Sequence, residues 1–124
     1  MVNESNLKKI SIGERVIGHG EKCFVIAEAG SNHDGKIDQA RKLIDIAAES
    51  GSDAVKFQTY SAKWLYSKKT PTMSYLKKDN LLKKGETIYD IIKRIQIPRD
   101  MHKDLADYCI EKNVLFMSTP FDLQ

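Results

Sequence analysis

Lys56 is the residue in this chain whose type and setting most demand a chemical explanation. It lies in the run Asp53-Ala54-Val55-Lys56-Phe57-Gln58-Thr59, which reads as a strand covered on both faces, where an ionised amine needs a partner. Period-two alternation sets Ala54, Lys56 and Gln58 on one face and Val55 and Phe57 on the other. With the apolar pair turned toward helices, the amine and the amide face the centre of a sheet or barrel. Glu28 ends a second apolar run, Phe24-Val25-Ile26-Ala27-Glu28, which also reads as a buried strand. Its carboxylate suits a general acid/base, a hydroxyl acceptor, or simply the counter-ion of Lys56 in a structural pair. Gly30 and Gly35 then bracket a turn that carries Asn32 and His33, where turn chemistry for asparagine and a solvent-exposed imidazole are the plain expectations. Near the end of the chain, Ser118 and Thr119 precede Pro120 and bring hydroxyls suited to an anion such as phosphate.

These residues need elements to hold them. Ile10, Ile12, Val16 and Ile17 around Gly13, Gly18 and Gly20 predict a hairpin that covers an open end of the fold, with His19 as a turn residue. Ala40, Leu43, Ile44, Ala47 and Ala48 make one helical face over Ile37 to Ser50, and Gly51 supplies the left-handed stop. Strand, helix and strand in that order form a βαβ unit, with parallel strands and a right-handed crossover. Tyr60 to Gly85 reads as a long irregular loop. A short helix is expected at Thr87 to Arg94, with Ile88, Ile91, Ile92 and Ile95 on one side. Pro98 is placed in the first turn of another helix, with the stripe Met101, Leu105, Tyr108 and Cys109 and with Asn113 as its stop. Val114 to Ser118 forms a third strand. In parallel α/β folds ligands bind at the carboxyl ends of the strands. Here those ends carry Glu28, then Lys56 and Gln58, then Ser118 and Thr119.

A length of 124 residues allows one domain, and 41% hydrophobic with 30% charged residues describes a folded globular chain. No long apolar run, basic leader or cleavage site is present, so neither membrane insertion nor secretion is expected and a cytoplasmic protein is. A net charge of +3 and lysine pairs at 8–9, 68–69, 77–78 and 83–84 without interleaved aromatics read as solvated surface rather than a nucleic-acid footprint. Cys23 and Cys109 have no metal-ligand spacing and are expected as buried, reduced thiols.

Three motifs taken together resemble a known family. Ile26-Ala27-Glu28-Ala29-Gly30-Ser31-Asn32-His33-Asp34-Gly35, Gly51-Ser52-Asp53-Ala54-Val55-Lys56-Phe57-Gln58-Thr59 and Ser118-Thr119-Pro120-Phe121-Asp122 are similar, in order, to the N-terminal part of the sialic acid synthases. That family includes N-acetylneuraminate, legionaminate and pseudaminate synthases, and Phe57-Gln58-Thr59-Tyr60 looks more like its bacterial branch than its animal one. The resemblance implies an α/β fold: the N-terminal segment, about three strands, of a (β/α)8 TIM barrel preceded by a short β-hairpin. It divides the chain into a hairpin cap at 1–22 and a partial barrel at 23–124. It also implies a homodimeric enzyme that condenses phosphoenolpyruvate with an N-acylated hexose and releases phosphate. A divalent metal, Mn2+ or Mg2+, would polarise the sugar aldehyde in the full-length enzyme, with ligands outside this chain. By position, Lys56 and Thr119 would hold the phosphate, Glu28 would act near the reacting carbons and Gln58 would bind the sugar. Asn32, His33 and Ser118 would be further substrate-binding residues.

A complete barrel takes about 250 residues, so the chain is expected to be an inactive fragment, prone to association through open sheet edges. Two other readings stay open: a barrel aldolase with a Schiff base on Lys56, and a non-catalytic anion-binding subunit.

Overall fold

In the computed structural model, which describes residues 8–71 and 85–123, the first element is a two-stranded hairpin. Ile10–Ile12 (β1) and Arg15–Ile17 (β2) pair antiparallel. Gly13, at φ 57, supplies the left-handed residue that a two-residue hairpin turn requires. Arg15 reaches Asp53 at 3.5 Å, and Gly13 lies against the Leu115 side chain. The hairpin therefore sits at the amino ends of the main strands.

Those strands are Ile26–Gly30 (β3), Ala54–Thr59 (β4) and Leu115–Pro120 (β5), a parallel sheet in the order β3-β4-β5. Ile37–Glu49 (α1) links the first two, and its buried Ala40, Ile44 and Ala47 are the stripe that the spacing predicts. Ser50 caps it, and Gly51 follows at φ 74. Ile88–Ile95 (α3) begins with a capping box in which Thr87 and Asp90 satisfy each other's backbone amides. Met101–Glu111 (α4) buries Leu105 and Cys109 and stops at Asn113, whose φ is 55. Helices α1 and α4 lie side by side, and their apolar stripes meet Ala29, Val55 and Phe57 in one core. Burying such a stripe removes apolar surface from water at about 25 cal/mol per Å2, which is what holds the helices to the sheet.

Several expectations change. The opening strand is only partly buried: Ala29 joins the core, but Ile26, on the face away from the helices, is 44% exposed, and Val25, just ahead of the strand, is 47% exposed. On β4 the same face is open only toward the carboxyl end: Ala54 is buried, whereas Lys56 keeps a side chain 36% exposed. Cys23 is an exposed free thiol, whereas Cys109 is buried, and burial pushes the Cys109 thiol up to about 12. Pro98 stands ahead of α4 rather than in its first turn; the capping residue is Asp100, whose carboxylate accepts from the Met101 amide. Among its described residues, the expected irregular stretch contains one helical turn, Ala62–Leu65 (α2). Its remainder, with the lysine pairs at 77–78 and 83–84, lies largely outside the described residues.

Candidate active site

The site follows from strand register. Glu28 on β3 is paired with Lys56 on β4, and Lys56 with Met117 on β5. Two residues further on, Gln58 is paired with Thr119. Side chains alternate along each strand, so Glu28, Lys56, Gln58 and Thr119 share the open face at the carboxyl end of the sheet. Val55, Phe57, Phe116 and Ser118 share the face toward the helices. Phe57 and Phe116 stack there at 5.7 Å.

Lys56 Nζ and Glu28 Oε2 form an ion pair at 3.0 Å, with side chains 36% and 52% exposed. The ladder shifts register between Glu28 and Gly30. Gly30, at φ 54, leaves the space beside these groups open: a Cβ there would lie 3.4 Å from Glu28 Oε1 and 3.8 Å from Gln58 Nε2. Gln58 is held from the turn. Ser31 Oγ donates to Gln58 Oε1 at 3.2 Å and lies 3.0 Å from the Tyr60 hydroxyl. Since the Ser31 proton goes to Gln58, Tyr60 is the donor to Ser31. Among the described residues, this chain leaves the Gln58 NH2 group free to donate on the open face. Burial pushes the Tyr60 phenol above its usual value, with the Ser31 bond opposing it. Tyr60 also walls a cleft of about 280 Å3 with Ser61, Trp64 and Gln96.

The remaining candidates lie elsewhere. Asn32 is exposed in the turn. His33 is 1% exposed and not the solvent-facing imidazole expected. Its ring packs 6.1 Å from Phe57 on the helix side of the sheet. Its Nδ1 accepts from the Gly35 amide at 3.0 Å, so Nε2 carries the proton, and no described residue accepts it. Burial lowers the His33 pKa, opposed by Asp34 and aided by His102. Ser118 also points to the helix side. Its hydroxyl lies 2.5 Å from Thr59 Oγ1, which in turn is 2.8 Å from His102 Nε2.

Ser31, Tyr60, Thr59 and His102 were not singled out from the sequence. Tyr60 was within reach of that reading, because it continues the alternation of Lys56 and Gln58. Ser31 depended on how the turn folds back, which no spacing encodes.

An α/β chain with its polar residues gathered at the carboxyl end of a parallel sheet is the class that fold and site define, and the three strands fit the N-terminal part of a TIM barrel. The chain belongs to the NeuB family, the sialic acid synthases, which it matches over residues 43–124. It is 41% identical to the spore coat polysaccharide biosynthesis protein SpsE of Bacillus subtilis over 90% of this chain and 28% of that protein. It is 39% identical to the N,N'-diacetyllegionaminic acid synthase of Campylobacter jejuni over 84% of this chain and 30% of that one. The crystal structure of the N-acetylneuraminic acid synthetase of Leptospira borgpetersenii, solved with citrate, superposes with a TM-score of 0.74 at 29% identity. That superposition covers 94% of this chain and 35% of the synthetase. The chain thus spans about a third of the length of the relatives it matches.

Proposed function

We propose that this chain forms the amino-terminal part of a nonulosonic acid synthase that joins phosphoenolpyruvate to an N-acylated hexose. The observation that carries the reading is the open face itself, with Lys56, Glu28, Gln58 and Thr119 at adjoining register positions on three parallel strands. The Lys56 ammonium and the Thr119 hydroxyl donate to the phosphate of phosphoenolpyruvate, and a fixed cation gains strength as water is excluded. Glu28 then stands beside the reacting carbons, and Gln58 donates to the sugar. The enol carbon bonds to the sugar aldehyde, water adds to the resulting cationic carbon, and the carbon–oxygen bond to phosphate breaks. Three carbons and six give a nine-carbon acid plus inorganic phosphate.

The family implies a divalent metal, but the described residues hold no group of three or more His, Cys, Asp or Glu side chains that fits one. The same reading makes the enzyme cytoplasmic and homodimeric, and the 124-residue chain inactive when isolated. No helix among the described residues is long and apolar enough to cross a membrane.

The test is to incubate the natural gene product with phosphoenolpyruvate, Mn2+ and a panel of N-acylated hexoses in H2 18O. Phosphate release with the solvent label in the sugar acid is expected. Borohydride trapping of a keto substrate on Lys56 would instead identify a Schiff-base aldolase. Phosphoenolpyruvate binding without turnover would identify a non-catalytic anion-binding subunit.

A further inference from the structure

Behind the open face, a continuous hydrogen-bonded chain ties α4 to the ends of β4 and β5. His102 Nδ1 lies 3.2 Å from the Pro98 carbonyl oxygen, Nε2 lies 2.8 Å from Thr59 Oγ1, and Thr59 Oγ1 lies 2.5 Å from Ser118 Oγ. Donor and acceptor capacities fix its direction. A carbonyl only accepts, so Nδ1 carries a proton, and in the singly protonated ring Nε2 then accepts from the Thr59 hydroxyl. The Thr59 oxygen then accepts from Ser118. The ring is held edge-on to Phe116, with centroids 6.3 Å apart at 90°, so packing and hydrogen bonding define one orientation.

What this chain holds is specific. Thr59 follows Gln58 and Ser118 precedes Thr119, and Gln58 and Thr119 are paired across the ladder. The two residues linked from behind are therefore the immediate neighbours of two residues presented in front. At these positions the sheet is ending, and few further ladder bonds remain to fix the strands.

We infer that His102 is a positioning residue, which through Thr59 and Ser118 sets the spacing of Gln58 and Thr119 and so the fit of the phosphate-bearing substrate. The inference rests on the function proposed above. It requires the Nδ1–H tautomer and the Thr59 hydroxyl, and it does not require His102 to touch substrate.

Two measurements on the natural gene product test it. Long-range 1H–15N spectra of the His102 ring should show a protonated Nδ1 and an unprotonated Nε2; the opposite tautomer would overturn the chain as drawn. Calorimetric titration with phosphoenolpyruvate alone gives the second. Thr59→Val and His102→Leu keep size and remove the linkage, and should weaken binding about tenfold or more with nearly unchanged thermal midpoints. Thr59→Ser and His102→Gln keep a donor or acceptor in place, and should stay within about threefold of wild type. Wild-type affinity in both Val and Leu variants would overturn the positioning role while leaving the proposed function standing. A wild-type protein that binds no phosphoenolpyruvate would remove both.

Discussion

Lys56 and Glu28 pose the sharpest question at the scale of single residues, because one ion pair admits a structural and a functional account. Magnitudes separate them. Both side chains are more than a third solvated, at 36% and 52% exposed, and pairs of that kind contribute about 0–1 kcal/mol to stability. A cation against a bound phosphate in a closed site is worth far more. Lys56→Met is therefore expected to shift the thermal midpoint little, yet to lower phosphate release by roughly a hundredfold or more. Calorimetry and a turnover assay on the same preparation decide the matter. A large loss of stability with turnover intact would make the pair a structural feature only.

Among the elements, the turn after β3 is the most tightly constrained. Gly35 has φ 71, and a Cβ there would stand 2.4 Å from the Arg94 carbonyl oxygen at the end of α3. Gly51 has a similar φ of 74 with nothing within 4 Å. Alanine at either position incurs the left-handed backbone penalty of about 1–2 kcal/mol, but only Gly35→Ala also forces backbone apart. Urea titration should find Gly35→Ala the more destabilising of the two by at least about 1 kcal/mol. Equal losses would show that the turn moves freely against α3.

The elements also show what the sequence could convey. Helix α1 was legible because Ala40, Ile44 and Ala47 recur at helical spacing before a glycine stop. Helix α3 was legible from its isoleucines. The faces of β4 followed from alternation, and with them the placement of Lys56 and Gln58. Exposure of Val25 and Ile26 was not legible, since covering a strand depends on what lies across from it. The face taken by Ser118 comes from its pairing with Phe57, a tertiary fact. His33 is buried because the turn folds under the sheet end, where polarity misleads. Proline at 98 signalled a helix start correctly but early, because Asp100 is the better cap.

For the whole molecule, the buried His33 ties stability to pH. Burial, aided by His102 and opposed by Asp34, holds its pKa below the ordinary 6.5. As pH falls through 6.5 the unfolded chain takes up a proton there and the folded chain does not. Stability therefore declines below that value, and this contribution levels off once the folded imidazole also protonates. Urea midpoints measured from pH 7.5 to 5 should fall in wild type and fall less in His33→Gln. Parallel declines would assign the effect to other groups.

The central position of β4 has a consequence for assembly. Its two ladders alternate Val55 and Phe57 with Lys56 and Gln58. A slip by one residue against either neighbour would drive an ammonium into the helix-packed core and turn the Phe57 ring out to water. The charge that equips the open face thus also proofreads the sheet during folding, rejecting misaligned pairings before any substrate is present.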